Sequence, residues 1–285
     1  MRRMFPPRIL GRTGVTVCPI GIGSGYGVPA AAVERAVDAG VNYLYWSTPR
    51  TRAFPEAIRH LGDRRDKLIL VVQSYAPTGG LITRSLERGL AKLGVERADV
   101  LLLGYWSRVP PPRIQEACAR LKERGLVRFV AVSSHKRALL AELAKGSPEG
   151  LPHDPTGLPL DPTGLPHGES VADVIHVRYN AAHRGAEQDV FPYLGPRPPG
   201  VVAYTATCWK KLLRPPAAAA GGKTPAAGDC YRFVLAHPAV SVCMTGPSSA
   251  AHVDEMLAAL QRGPMDEEEL AWMRRVGDAV YGKAR

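Results

Sequence analysis

Residues 82–105 read ITRSLERGLAKLGVERADVLLLGY. Ile82, Leu86, Leu90 and Leu93 recur at the spacing of one helix face. Gly94 then stops the helix, because a residue without a Cβ enters the left-handed conformation cheaply. Shortly after, Val100-Leu101-Leu102-Leu103 forms a brief apolar run closed by Gly104, which reads as a strand. A continuously apolar strand is buried on both faces, as in a parallel sheet covered by helices. The stretch is therefore one helix–strand unit of a parallel α/β fold.

The unit recurs in both directions. Short β-branched runs begin near Val17 (VCPIGIG), Tyr43 (YLYW), Leu68 (LILVVQ), Val127 (VRFVAVS), Val174 (VIHVRY), Val201 (VVAY) and Val240 (VSVCMT). Between them, residues 30–39 are Ala-rich and stop at Gly40, and Ile114, Ala117, Cys118 and Leu121 share a face ahead of Gly125. Eight such strands in one chain of 285 residues predict a (β/α)8 barrel of the TIM type, as a single domain over residues 1–285. Residues 8–15 (RILGRTGV) read as a hairpin ahead of the first barrel strand. Asp266-Glu267-Glu268-Glu269 opens an extra C-terminal helix, its acids suited to the positive end of the dipole. That helix carries an apolar packing stripe of Leu270, Met273, Val276 and Val280. Residues 150–170 break the rhythm, repeating GLPHDPT, GLPLDPT and GLPHGES. So short a Pro/Gly repeat cannot build a core and reads as a lengthened loop inserted within the barrel.

Composition narrows the function. With 45% hydrophobic and 22% charged residues, the chain is neither disordered nor fibrous. No apolar run approaches the ~18 residues of a membrane span, and no leader peptide is visible, so no membrane partner is expected. Five cysteines without a CxxC pair predict neither a zinc site nor a disulfide framework, and point to the cytoplasm. The formal charge of +11 favours anionic partners, from a nucleotide phosphate to nucleic acid. It lacks the continuous basic stripe with aromatic platforms that nucleic acid requires. The alternating glycines of GIGSGYG (21–27) lie within and after a strand, so they predict a tight turn at the rim and not a dinucleotide fingerprint.

Catalysis in such a barrel sits at the C-terminal strand ends. There the sequence supplies Tyr45, Trp46 and Ser47; Gln73, Ser74 and Tyr75; Tyr105 and Trp106; Ser133, Ser134 and His135; His176; Tyr204 and Thr205; and Thr245-Gly246-Pro247-Ser248-Ser249. This mouth is aromatic and hydrogen-bonding. It has no carboxylate pair for glycoside hydrolysis and no His/Asp/Glu cluster for a metal. Ser248-Ser249 before a helix offers either a phosphate site or a plain N-cap.

At this point the chain resembles the aldo-keto reductases along nearly its whole length. The resemblance is carried, in order, by ILGRTGVTVCPIGIGSG (9–25), DAGVNYLYW (38–46), RRDKLIL (64–70), SLERGLAKLGVERADVLLL (85–103) and RLKERGLVRFVAVSS (120–134). It continues through VIHVRYN (174–180), VVAYTA (201–206), VLAHPAVSVCMTGPSS (234–249) and DEMLAAL (254–260). It implies an NADP(H)-binding barrel that reduces carbonyl compounds by hydride transfer.

The family's catalytic tetrad is an acid Tyr, a Lys, an Asp and a His, and all four positions are substituted. Tyr45 stands at the Asp position, Arg50 at the Tyr, Gln73 at the Lys and Gly104 at the His. Tyr45 is the best replacement acid, with Arg50 expected to lower its pKa; Tyr105 and His135 are the other candidates. At the cofactor, the resemblance assigns Ser133, Ser134, His176 (in place of a Gln) and Tyr204 to the nicotinamide end. Gly246, Ser248, His252 and Glu255 fall at the adenosine end, and Met256 stands where the family has an amide. Three functions follow: a carbonyl reductase with a rebuilt proton donor, a pseudoenzyme that binds NADP(H) as a sensor or partner module, or a barrel holding a different ligand.

Overall fold

Apolar strands that alternate with one-faced helices bury every face by closing into a barrel with the helices outside. The computed structural model describes residues 4–47, 51–145, 171–216 and 223–282. Strands β3 (Ile20–Gly23), β4 (Tyr43–Trp46), β5 (Ile69–Ser74), β6 (Ala98–Leu103), β7 (Val127–Ser134), β8 (Val174–Arg178), β9 (Gly200–Tyr204) and β10 (Val242–Thr245) form a closed parallel barrel in sequence order. Closure comes from β10 pairing with β3, Cys243 opposite Ile20 and Thr245 opposite Ile22.

Around it lie α1 (Ala30–Asp38), α2 (Ala53–Leu61), α3 (Gly79–Leu93), α4 (Pro112–Glu123), α5 (Arg137–Lys145), α6 (Ala186–Asp189), α7 (Ala227–Ala236), α8 (Ala250–Arg262) and α9 (Glu267–Gly282). The opening stretch behaves as its pattern dictates. Ile82, Leu86, Leu90 and Leu93 are buried, and Gly94 caps α3 at φ 70°. Asp266 and Glu269 close a reciprocal cap on α9: the Glu269 N–H donates to Asp266 Oδ1 at 2.8 Å and the Asp266 N–H to Glu269 Oε2 at 3.1 Å.

The hairpin is β1 (Arg8–Ile9) against β2 (Thr16–Val17). It plugs the N-terminal end of the barrel: Leu10 and Val17 are fully buried in the interior with Tyr43, Val71, Val100 and Val242. One boundary shifts from the sequence reading. The first barrel strand starts at Ile20, not Val17, because Val17 belongs to the hairpin and Pro19 has no N–H for a ladder. Residues 150–170, with the repeat, lie outside the described residues, between α5 and β8. Among the described residues no helix is long and apolar enough to cross a membrane.

Candidate active site

Alternation along β4 turns Tyr43 and Tyr45 toward the barrel axis, and the same period turns inward Gln73 and Ser133, near the ends of β5 and β7, and His176, which lies midway along β8 and not at its end. At the tetrad positions, the Tyr45 hydroxyl donates to Gln73 Oε1. Gly104 lies directly beside this pair. A Cβ at residue 104 would stand 2.5 Å from Gln73 Nε2 and 2.6 Å from the Tyr75 ring. Gln73 and Tyr75 thus fill the volume that a side chain at 104 would need. Arg50 lies outside the described residues.

Burial raises the pKa of Tyr45, and the neighbouring Tyr75 and Tyr105 raise it further. The described surroundings therefore act opposite to the lowering expected from Arg50, and they keep Tyr45 protonated through the neutral range. Tyr75 is pushed up in the same way, by burial first and then by Tyr105.

Above the pair stands a run of rings. Tyr75 stacks on Tyr105 with centroids 5.5 Å apart, and Tyr105 stacks on His135 at 5.0 Å. Tyr204 meets His135 edge-on at 6.1 Å, its hydroxyl 3.1 Å from Nδ1. Tyr75 and Tyr105 remain 56% and 55% exposed, so their outer surfaces are open to a ligand. Tyr105 adopts φ 54°, a left-handed conformation that costs energy for a residue with a Cβ. His135 titrates below the ordinary histidine value through burial and the Arg178 charge.

The residues assigned to the cofactor divide into two groups. Ser133 is buried beside Tyr204, whose pKa burial pushes up to about 12 against the opposing effect of the Ser133 hydroxyl. Ser134 is engaged by the rim loops: its Oγ donates to the Trp106 carbonyl at 2.6 Å and accepts from the Lys136 N–H at 3.0 Å. His176 is buried with Nε2 3.0 Å from the Tyr43 hydroxyl, and burial pushes its pKa down to about 3, so the ring is neutral.

At the other end, the Tyr26 ring covers Gly246, where a Cβ would lie 2.3 Å from it. Ser249 caps α8 by accepting the His252 N–H at 3.2 Å, and Ser248 Oγ lies 3.1 Å from His252 Nδ1. Glu255 Oε1 accepts the Gly228 N–H at 3.2 Å. Met256 is fully buried and its sulfur accepts from Thr245 Oγ1 at 3.1 Å. Tyr26 and Tyr43 were not singled out from the sequence. Tyr26 lies inside the glycine-rich GIGSGYG turn, and Tyr43 is one alternation from Tyr45, so a period-two reading of β4 would have found it. Among the described residues no three His, Cys, Asp or Glu side chains gather as a metal site would require.

Comparisons with known proteins agree on the fold. The model of the aldo/keto reductase family matches residues 29–208. A holo-form aldo-keto reductase from Bacillus halodurans superposes with a TM-score of 0.74 at 19% identity, covering 96% of each chain. An aldo/keto reductase from Klebsiella pneumoniae, in complex with NADP and acetate, superposes with a TM-score of 0.73 at 22% identity over 95% of each chain. Comparison with curated protein sequences gave no significant match.

Proposed function

The chain belongs to the aldo/keto reductase family, and from that premise we propose that it is an NADP(H)-binding oxidoreductase acting on carbonyl compounds, with Tyr45 as its rebuilt proton donor. The observation that carries this reading is the Tyr45 hydroxyl held on Gln73 beneath the open Tyr75–Tyr105 surface. A donor is needed where an alkoxide develops, and this is a protonated hydroxyl in a mouth with few other ionisable groups.

The side chains present fit the cofactor at two places. Ser133 and the Tyr204 ring would hold the nicotinamide, and Ser248 with the start of α8 would hold a phosphate. Met256 is buried in the core and Glu255 is engaged by the Gly228 N–H, so an adenine would draw on Tyr26 and His252 instead. When bound, NADPH supplies the hydride that reduces a carbonyl carbon.

The protein's own contribution is the proton. A substrate carbonyl that replaces Gln73 Oε1 as acceptor receives the Tyr45 hydrogen bond, and the alkoxide formed from it takes that proton from Oη. Tyr75 and Tyr105, whose hydroxyls act on that of Tyr45, return a proton from solvent. Tyr43 and neutral His176 close the barrel beneath, keeping water from below. Five unpaired cysteines fit a reducing compartment such as the cytoplasm.

A second reading, a nucleotide-binding protein without turnover, draws on the same pair: burial raises Tyr45, and Gln73 carries no charge to oppose it. The test is NADPH binding followed by its oxidation against a panel of aldehydes and ketones. The Tyr45→Phe variant should lose roughly 10²–10⁴-fold in kcat, the usual range for a general acid, with NADPH affinity unchanged. Undiminished turnover in the variant removes Tyr45 as the donor. Binding of NADPH by the natural chain with no oxidation on any carbonyl favours the second reading.

A further inference from the structure

Three rings stand in a row on the ends of neighbouring strands. Tyr75 follows β5, Tyr105 follows β6 and His135 follows β7, and two strand spacings give the row a span of about 10 Å. The ring planes differ by only 24° and 18°, so the contacts at 5.5 and 5.0 Å are offset stacks that leave part of each ring open. One end of the row lies at the proton donor: Gln73, which holds the Tyr45 hydroxyl, and the Tyr75 ring crowd the same point over Gly104. At the other end the Tyr204 hydroxyl holds His135, 3.1 Å from Nδ1. Tyr105, in the middle, keeps its ring in place at a backbone φ of 54°, a strain the surrounding contacts must sustain.

Next to His135 a groove of about 450 Å³ opens between the loop after β6 and the start of α5. Hydrogen bonds pin its two sides together. The Trp106 N–H donates to the Ser133 carbonyl at 3.1 Å, Ser134 Oγ donates to the Trp106 carbonyl at 2.6 Å, and the Lys136 N–H donates to that Oγ at 3.0 Å. Arg108 and Val109 line the groove from the first side, and Lys136, Leu139 and Glu142 from the second. The side chains of Arg108 and Lys136 have no hydrogen-bond or ion-pair partner among the described residues. Two cations against one carboxylate leave one positive charge in excess, the complement of a single anionic group. A guanidinium fork matches a carboxylate, and an ammonium adds a point charge beside it.

We propose that the substrate is a flat, conjugated carbonyl compound with a carboxylate at its far end, about 10 Å from the carbonyl, as the span of the row requires. The carbonyl meets Tyr45, the planar body lies along Tyr75, Tyr105 and His135, and the carboxylate enters the groove between Arg108 and Lys136. This rests on the reading of Tyr45 as donor for the place of the carbonyl alone; the row and the groove hold the acid whether or not it is reduced.

The test separates binding from turnover. The full chain is titrated calorimetrically, without NADPH, with 4-methoxycinnamate, which has the planar body and the acid but no carbonyl to reduce, and with the neutral 4-methoxycinnamamide. The acid should bind saturably and about tenfold more tightly than the amide, as a hydrogen bond to a charged group gives. Arg108→Met combined with Lys136→Met, both at exposed positions, should erase that difference. Tyr105→Asn, a residue that tolerates a left-handed φ, should weaken both ligands about fivefold through the lost ring. No binding of the acid at millimolar concentration, equal affinity for acid and amide, or a preference that survives the double variant overturns the proposal. Unchanged affinities in Tyr105→Asn overturn it as well. With NADPH added, 4-formylcinnamate should be reduced with a kcat/KM about tenfold above that of cinnamaldehyde. Equal values overturn the proposal and leave the reductase reading standing. If the acid binds as expected and neither aldehyde is reduced, the reading of Tyr45 as donor falls and the acid-binding site stands.

Discussion

Gly104 has no Cβ, and Gln73 and Tyr75 occupy the space that one would take. In the sequence the glycine reads only as a missing histidine; packing shows that two neighbouring side chains have moved into its place. His176 carries a second lesson at this scale. The resemblance assigns it to the cofactor as a substitute for a glutamine, and the structure sets it on Tyr43 inside the barrel. Its consequence for stability has a definite sign. An unfolded histidine takes up a proton below about 6.5, whereas burial holds the folded ring neutral down to about 3. The unfolded state then binds more protons in that window, so stability falls as pH drops from 6.5 toward 3. Urea midpoints measured from pH 7 to pH 4 should fall more steeply for the natural chain than for His176→Gln, which accepts a hydrogen bond but does not titrate. Parallel curves would refute this assignment.

Helices announce themselves by pattern, but what joins them does not. The apolar stripe of α3 and its glycine stop are legible because both are local consequences of a 3.6-residue period and a left-handed cap. Arg232 of α7 is not legible in that way. It is fully buried, pairs with Glu269 of α9 through two bonds of 2.7 Å, and donates to the Gly263 carbonyl at 2.7 Å. Asp229 of α7 meets Arg262 of α8 at 2.9 Å in the same cluster. Three helices are thereby tied through charges that lie over thirty residues apart in sequence. Removing one member of a buried charge cluster leaves its partners desolvated, typically at about 3–5 kcal/mol. Arg232→Met should lower the free energy of unfolding in guanidinium by roughly that amount. A loss below about 1 kcal/mol would mean that Arg262 takes over both carboxylates.

Across the whole molecule, the barrel is closed at one end by its own first residues. Leu10, from the hairpin, fills the interior and abuts Gly200, where a Cβ would meet its side chain at 2.6 Å. Leu10→Ala should cost about 2–5 kcal/mol, as buried leucine truncations do, measured by denaturant unfolding. A cost near zero would show that the plug is dispensable. What the sequence by itself determined is the set of eight strands, the hairpin, the final helix and the family resemblance, because periodicity, glycine stops and residue order are properties of short stretches. It also exposed the four tetrad substitutions, since those are read position by position. Only the tertiary structure decided where the substituted side chains go: Tyr45 on Gln73, Tyr75 over Gly104, His176 on Tyr43, and Met256 into the core. Those contacts join residues tens of positions apart, and their outcome rests on which side chain fills which volume and which charge finds a partner, terms that exist only once the barrel has closed.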